Sequence, residues 1–168
     1  LDLRVGVPGA LTGHPAPEQC EGCTWVTPQV RELSYIHSRD VTYATFCQGP
    51  YEESARYSDF MGWEMSWYSA AQDLLETLLV GRRVGMMHIV CYLRQGSNVF
   101  ETYWTWMRGV EAMDNNYRLL DMTVCGRQET WEDSPIGWPQ RWEGKQRMRT
   151  DGRPTSQWSR LKAGYSDD

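Results

Sequence analysis

The stretch Pro17–Trp25 reads PEQCEGCTW and places Cys20 and Cys23 three positions apart with a glycine between them. A strand-like segment, Leu3–Val7, lies upstream and ends in a loop rich in proline and glycine. The sequence after the cysteines is helix-like. Such a pair is a redox-active dithiol, half of a metal site, or two small buried side chains, and the three alternatives stay open at this point.

Composition limits the classes of protein to which the chain can belong. Its 168 residues are the size of one domain with its own core, and its net charge of −5 makes nucleic acid an unexpected partner. The odd number of cysteines, five, argues against a secreted disulfide framework. No run of about 18 apolar residues and no signal-peptide pattern is present. We therefore expect a cytoplasmic protein without a membrane span.

Two compositional features remain to be explained. Basic residues gather between Arg141 and Lys162, where they could meet an anion or an acidic neighbour, or form a solvated extension. The chain also has nine Trp and nine Tyr. So many rings indicate a thick aromatic core, an aromatic-lined cleft, or both. The tail contains several of these rings, which predicts that part of it packs on the body or on a second subunit of a homodimer.

Residue patterns predict an alternation of strands and helices followed by a hairpin. Thr27 before Pro28 has the pattern of a helix N-cap. The predicted elements are strand Leu3–Val7, a helix from Thr27 to about Ser38, strand Val41–Cys47, helix Tyr51–Phe60 closed by Gly62, strand Met65–Tyr68, helix Asp73–Val80, strands Met87–Leu93 and Val99–Trp106, and helix Val110–Leu120. Beyond Asp121 we expect loop and tail.

The fold class that this order indicates is α/β. Early strands that alternate with helices need parallel crossovers, whereas the hairpin adds an antiparallel pair, so the central sheet should be mixed and covered on both faces. A Cys-x-x-Cys beside such a pattern is typical of a thioredoxin-like domain. We therefore expect a three-layer thioredoxin-like domain over residues 1–129 and a C-terminal extension, 130–168, partly packed on it.

Short motifs spread over most of the chain are the basis of a family resemblance. They are Cys20-Glu-Gly-Cys23, His37-Ser-Arg39-Asp40-Val41-Thr42, Met61-Gly62-Trp63, Trp67-Tyr68-Ser69, Thr102-Tyr103, Arg108-Gly109, Tyr117-Arg-Leu-Leu-Asp121 and Gly126-Arg127-Gln128-Glu129. With these motifs in this order, the chain resembles a family of uncharacterised, thioredoxin-like bacterial proteins near the peroxiredoxin branch.

The resemblance implies a thioredoxin fold with a strand and a helix inserted between Trp67 and Val80. It supplies no function, because the activity of the family is itself inferred from its fold. Thioredoxins place a cis-proline just before the strand that faces the thiols, and the matching stretch here, Val84–Met87, contains no proline. The resemblance therefore implies the scaffold more firmly than the chemistry.

The thiol pair is the first candidate site. Two thiols at i and i+3 at the start of a helix can close a disulfide, and the free amides of the helix stabilise an attacking thiolate. By the pattern of thioredoxins the attacking thiol would be Cys20, and by that of peroxiredoxins it would be Cys23. We favour Cys20. Glu18 and Glu21 flank the pair and disfavour a very acidic thiol. Zinc would need two further ligands, so we expect no metal and no organic cofactor.

An aromatic surface is the second candidate site. The spacing of strand Val99–Trp106 puts Phe100, Thr102, Trp104 and Trp106 on one face, which would be a core face under a helix or a wall for a flat small molecule. The residues that would form this substrate-binding wall, with their orienting or acid-base groups, are Trp63, Trp67, Tyr68, His88, Glu101, Tyr103, Trp104 and Arg108.

The sequence leaves three functions open. The first is thiol-disulfide or peroxide-linked redox chemistry by Cys20 and Cys23 on a small-molecule or protein thiol substrate. The second is a non-redox enzyme or binding protein for an aromatic small molecule, in a biosynthetic pathway, on a repurposed thioredoxin-like scaffold. The third is a non-catalytic interaction domain.

Overall fold

The protein combines helices and strands. Its structure is a computed structural model, which describes residues 3–5, 13–70, 77, 79, 82, 87–139 and 148–167. The strands are β1 (Leu3–Val5), β2 (Val41–Gln48), β3 (Ser66–Ala70), β4 (His88–Gln95), β5 (Asn98–Trp106), β6 (Arg149–Thr150) and β7 (Arg153–Pro154). The α-helices are α1 (Glu21–Val26), α2 (Ser34–His37), α3 (Tyr51–Met61), α4 (Asn115–Asp121) and α5 (Gln157–Lys162).

Five of the strands form one mixed sheet in the order β3-β2-β1-β4-β5. Strand β2 runs parallel to both β1 and β3, whereas β4 lies antiparallel to both β1 and β5. The expected α/β class with a mixed sheet is confirmed at this level. The thioredoxin-like fold and the boundary between residues 129 and 130 stay predictions.

Helix α1 begins six residues before the predicted N-cap, Thr27. Cys20 is the N-cap instead, and its sulfur accepts a hydrogen bond from the backbone N–H of Cys23. Thr27 has helical backbone angles, and its hydroxyl donates to the carbonyl of Cys23 at 2.7 Å. The predicted N-cap was wrong because Thr27 and Pro28 do not begin a new α-helix. They lie in the short 3₁₀ turn Thr27–Gln29, which extends α1.

Helix α3 agrees closely with its prediction, because its signals are local. Glu52 and Glu53 lie in the first turn, where the positive end of the helix dipole favours them. Gly62 ends the helix in the left-handed conformation (φ 66°) that a glycine adopts without strain. A Cβ at Gly62 would also lie only 3.0 Å from the guanidinium of Arg160 in α5.

The hairpin of β4 and β5 turns at Gly96–Ser97, but a bulge changes which side chains share a face. Cys91 pairs with Tyr103 and Tyr92 pairs with Glu101, which leaves Thr102 as the extra residue. Trp104 therefore pairs with Val90 and Phe100 with Leu93, and these two positions on β4 face opposite ways. The predicted single face from Phe100 to Trp106 was wrong; Trp104 and Trp106 still stack, with ring centroids 6.4 Å apart.

The predicted helix Val110–Leu120 is two pieces. A 3₁₀ segment, Met107–Met113, ends at Asp114, and α4 begins at the next residue. Asp114 has a non-helical backbone (φ −89°, ψ 74°), and both following asparagines bond to Gln29. These contacts with the end of the α1 region interrupt a pattern that is helical in sequence.

The segment 148–167, predicted to be loop and tail, has its own regular structure. Strands β6 and β7 form a small hairpin, and α5 follows it and contacts α3. The predicted helix Asp73–Val80 falls almost entirely outside the described residues, as does the stretch Val84–Met86.

The core joins α1, α3 and the 3₁₀ segment Met107–Met113 to the sheet. Its buried residues are Val26, Tyr43, Tyr57, Phe60, Met61, Trp63, Met65, Ile89, Val110 and Met113. Because α1 is anchored in this core through Val26, the cysteine at its N-terminus has a fixed position relative to the sheet.

Candidate thiol site at the start of helix α1

The two cysteines of the Cys-x-x-Cys differ sharply in exposure. Cys20 is half-buried, whereas Cys23, inside α1, has only 2% of its surface exposed. The Cys20 sulfur lies 3.3 Å from the Cys23 backbone nitrogen and accepts its hydrogen bond. Both are free thiols. Cys20 is therefore the more accessible of the two thiols.

The hydrogen bonds of the pair separate the two thiols in acidity. The Cys23 side chain donates to the Cys20 sulfur, and with the backbone amides of Cys23 and Gly22 this lowers the pKa of Cys20 to about 6, against the opposing effects of burial and Glu21. The same bond, burial and the charge on Cys20 raise the pKa of Cys23 well above its ordinary value. At neutral pH the pair thus holds a thiolate on Cys20 and a proton on Cys23.

An arginine from β6 holds the segment that leads into Cys20. Arg149 donates to the carbonyls of Pro17 and Gln19, at 2.6 and 2.7 Å, and forms an ion pair with the carboxylate of Glu21. Its side chain is only 14% exposed. The basic residues of the tail were expected to meet an anion or an acidic neighbour, or to form a solvated extension. Arg149 meets an acidic neighbour, Glu21.

A buried polar chain lies beneath the pair. The Thr24 and Tyr57 hydroxyls are 2.6 Å apart, and Gln157 donates to the Tyr57 oxygen at 2.9 Å and to the Ala16 carbonyl at 2.6 Å. Burial raises the pKa of Tyr57 to about 12, so its hydroxyl stays protonated. These hydrogen bonds link α1, α3 and α5 behind the thiols.

Met87 lies against the glycine between the cysteines. A Cβ at Gly22 would stand 3.4 Å from the Met87 sulfur, so the missing side chain lets Met87 approach. Met87 immediately precedes β4 and has a left-handed backbone (φ 69°), which is rare for a residue with a side chain. It occupies the end of the stretch that matches the cis-proline position of thioredoxins and contains no proline.

Two cavities border the thiol-bearing segment. One of about 730 Å³ includes Ala16 and Gln19, which precede Cys20, and is bounded by α3 and the end of the chain. The other, of about 440 Å³, includes Trp25 of α1. Its other walls come from α4, Arg127, Glu129 and the segment Met148–Ser156. Of the eight side chains predicted for the aromatic wall, none lines either of these two cavities.

Two of those eight, Trp63 and Trp67, lie together in or against the core. Their ring centroids are 5.3 Å apart, and Trp63 also meets the edge of Tyr57. The Trp67 indole donates to the Ser54 hydroxyl at 3.1 Å. This packing gives both rings a structural role in the interior.

Three others form what we call the aromatic cluster, which consists of His88, Trp104 and Glu101 together with Arg82. His88 is buried and its Nδ1 accepts from the Trp104 indole at 3.3 Å. Arg82 makes two bonds to Glu101, at 2.6 and 2.7 Å, and its guanidinium lies 4.4 Å from the centre of the Trp104 ring. These polar groups are thus directed at one another.

The remaining three are dispersed. Tyr68 stacks on Phe46 and Tyr103 lies on β5, each about half exposed. Arg108 contacts Glu111 at 2.6 Å and Glu129 at 3.5 Å. The eight residues therefore do not form one wall: two lie in a core pair, three in the aromatic cluster and three at separate positions. Their substrate-binding role stays a prediction.

Three contributors to the thiol site were not predicted from the sequence. Arg149, Gln157 and Tyr57 lie far from Cys20 in sequence and have no motif of their own. The one signal was the concentration of basic residues in the tail, which indicated an acidic partner without saying which. Met87 was noted only as part of a stretch without proline.

The described residues were also compared with the arrangements that bind metal ions and with helices that span membranes. Across 13–70, 87–139 and 148–167, no group of three or more His, Cys, Asp or Glu side chains has a metal-binding arrangement. Within the part of the chain that the structure describes, every helix is too short or too polar to cross a bilayer.

Comparison with known proteins places the chain in a family. Curated proteins and solved structures gave no match. The family model described as "Bacterial protein of unknown function (DUF899)" matches residues 9–163, which include the thiol pair, the aromatic cluster and the segment that carries Arg149. The chain therefore belongs to this family of bacterial proteins of unknown function.

Proposed function

We propose that the protein is a thiol-disulfide oxidoreductase, or a peroxide-linked one, that works through Cys20 and Cys23. One observation carries the proposal, namely that the half-buried Cys20 sulfur accepts hydrogen bonds from Cys23, which itself is buried and protonated. A reactive dithiol needs this division into an accessible thiolate and a protected thiol.

The exchange takes place in two balanced steps. The Cys20 thiolate attacks one sulfur of a substrate disulfide; an S–S bond forms to Cys20 and the other substrate sulfur leaves as a thiolate. Cys23 then gives up its proton and attacks the Cys20 sulfur, which closes the Cys20–Cys23 disulfide and releases the second substrate thiolate. The substrate gains two electrons, and an external dithiol must reduce the pair again.

A peroxide would enter by the same thiolate. Attack of Cys20 on the O–O bond leaves a sulfenic acid on Cys20 and expels an alkoxide or hydroxide. Cys23 then displaces water from that sulfenic acid to form the same disulfide. Both routes end in one bridge, so the closing of the bridge is the common test.

The thioredoxin-like fold is part of the proposal. The order β3-β2-β1-β4-β5, with an antiparallel β4–β5 pair, Cys20 at the N-cap of α1 and Cys23 inside it, supports it. Met87 against Gly22 is where such a fold brings a loop to the thiols, although this loop carries a methionine. We interpret β3 as the inserted strand that the resemblance implied.

The experiment is a redox titration of the native protein. Differential alkylation and mass spectrometry across thiol buffers should show a reversible Cys20–Cys23 bridge with a midpoint between roughly −120 and −270 mV. The Cys20→Ser, Cys23→Ser double variant must lose the transition, and Cys125→Ser, which changes a half-buried cysteine elsewhere, must keep it. If the pair never bridges, the redox proposal fails.

A second candidate function rests on the cavity of about 440 Å³ beside Trp25. Trp25 meets Tyr117 edge to face at 4.2 Å, and leucines and Met148 complete an apolar wall. Its size and lining suit a flat, uncharged small molecule. Aromatic ligands should quench tryptophan fluorescence in the native protein and not in Trp25→Phe, with Trp138→Phe as control; no quench across a broad panel rejects this candidate.

A further inference from the structure

Arg149 connects the C-terminal hairpin, β6 and β7, to the residues around Cys20 through its charged guanidinium group. It donates to the carbonyls of Pro17 and Gln19 and pairs with Glu21. A further bond to the carbonyl of Gly152 ties it to its own hairpin. Because the guanidinium is planar and carries five donors, it can hold these acceptors at once.

Glu21 is the reason why this contact matters for the thiol. It follows Cys20 directly, and its negative charge opposes ionisation of the Cys20 sulfur. Arg149 places a positive charge on that carboxylate at a site where both side chains are largely buried, so solvent screens the pair only in part. The net field of Glu21 at Cys20 is thereby reduced.

Few other ionisable groups near Cys20 compete with this effect. Cys23 donates from within α1, and Tyr57 of α3 is protonated at neutral pH because its pKa is about 12. Met87, from the segment before β4, is uncharged. Glu18 lies two residues before Cys20 and is mostly exposed beside His14. Among the described residues, Arg149 is therefore the cation that hydrogen-bonds to the backbone just before Cys20.

The two carbonyl bonds add a geometric effect. Gln19 is buried and directly precedes Cys20, so its carbonyl sets the direction in which the chain enters α1. Holding that carbonyl and the one of Pro17 fixes the Cys20 sulfur over the Cys23 amide. Arg149 thus acts on both the charge and the position of the thiol without touching a substrate.

We propose that Arg149 is a positioning residue of the thiol site, which neutralises Glu21 and fixes the peptide that carries Cys20, so that the C-terminal segment is part of the site. The proposal rests on the proposed dithiol function for its biological purpose. Its physical content, the dependence of Cys20 ionisation on Arg149, is measurable whether or not the pair forms a bridge.

The experiment is the pH profile of Cys20 alkylation by iodoacetamide, followed by mass spectrometry of the Cys20 peptide in the full chain. Arg149→Gln leaves Glu21 unpaired and should raise the pKa of Cys20 by about one, which slows alkylation at pH 5 about tenfold. Glu21→Gln alone should leave the rate unchanged or raise it. The variant with both changes should return to the native profile.

The matched control is Arg153→Gln. Arg153 lies in the same hairpin, but it binds Asp167 and Gln157 rather than the thiol segment. It should leave the profile unchanged. Arg149→Lys keeps the charge and loses the fork, so a profile close to native would assign the effect to charge, and one close to that of Arg149→Gln would assign it to the carbonyl bonds.

Two results would overturn the proposal. One is a native profile in Arg149→Gln; the other is an equal shift in Arg149→Gln and in Arg153→Gln, because a general disturbance of the hairpin would produce it. If Arg149→Gln does not fold, a slower rate in Glu21→Gln at pH 5 counts against the proposal. Failure of the redox titration with an intact Arg149 effect would reject the proposed function alone.

Discussion

The thiol site and the aromatic cluster both combine ionisable side chains with half-buried surroundings, but they use their hydrogen bonds differently. In the cluster, Arg82 and Glu101 pair with each other, and Trp104 donates to His88. At the thiol site, the donors of α1 converge on one sulfur that keeps part of its surface exposed. Mutual pairing stabilises a fold, whereas donors directed at a single accessible atom prepare it to react.

The largest expected effect concerns the donor to Cys20. Cys23→Ala removes the S–H that contributes most to the low pKa of Cys20, so this pKa should rise from about 6 toward that of an ordinary thiol. Alkylation of Cys20 at pH 6 should slow at least about tenfold. Cys47→Ala, at a buried cysteine of β2, is the control, and a native rate in Cys23→Ala would remove the contrast between the two regions.

Next in size is the loss of the buried hydroxyl beneath the thiols. Tyr57→Phe leaves the Thr24 hydroxyl without its partner and removes the Tyr57 oxygen as one of the two acceptors of the Gln157 side-chain N–H₂ group. We expect urea unfolding to show a loss of about 1–3 kcal/mol, because buried polar groups are left unpaired. Tyr35→Phe changes an exposed tyrosine and should be neutral. A loss below about 0.5 kcal/mol would mean that the chain of bonds does not support the site.

Asp114 provides a control for the pH profiles, because it ionises in the same range. Burial and then Glu111 raise its pKa to about 6, although Arg127, Arg108 and Arg118 oppose this. The folded state therefore binds this proton more tightly than the unfolded chain, so the contribution of Asp114 to stability is full below about pH 4 and is lost as pH rises through about 6.

Asp114→Asn should consequently stabilise the protein by about 1–2 kcal/mol at pH 8 in urea unfolding, with the difference shrinking at pH 4. The Cys20 alkylation profile should stay as in the native protein. If the Cys20 profile moves instead, its titration near pH 6 does not belong to the thiol pair, and the comparison of the two regions loses its electrostatic basis.

The smallest effect is expected in the aromatic cluster. Trp104→Phe keeps most of the ring contacts and removes the indole donor to His88, which should lower the free energy of unfolding by about 1 kcal/mol. Cys20 alkylation should not change. Trp106→Phe, in the neighbouring stacked ring, is the matched control. A changed Cys20 rate in Trp104→Phe would show that the two regions are coupled.

Local signals predicted some elements well and others poorly. The ends of α3 and of the β4–β5 hairpin are marked by Gly62, by acidic residues in a first turn and by Gly96, and these act within a few residues of themselves. The start of α1 and the break at Asp114 were missed. A cysteine as N-cap is not a common helix signal, and the break depends on bonds to Gln29, distant in sequence.

The candidate site divides in the same way. The sequence singled out Cys20 and Cys23 and favoured Cys20 as the attacking thiol, a prediction that the exposures and hydrogen bonds of the pair support. It could not identify Arg149 or Gln157, because their bonds to the thiol segment span more than 120 residues. It also grouped Phe100 with Trp104, since a single bulge residue is invisible in an alternating pattern.

By itself, the sequence determined the α/β class and the pair of thiols ahead of a helix, because periodicity, turn residues and short spacings act over a few neighbouring positions. The tertiary structure alone decided that Cys23 is buried and donates to Cys20, that Arg149 meets Glu21, and that the aromatic residues are distributed among a core pair, a cluster and separate positions. Burial and charge pairing depend on which distant segments pack together, and they set the chemistry of the thiols.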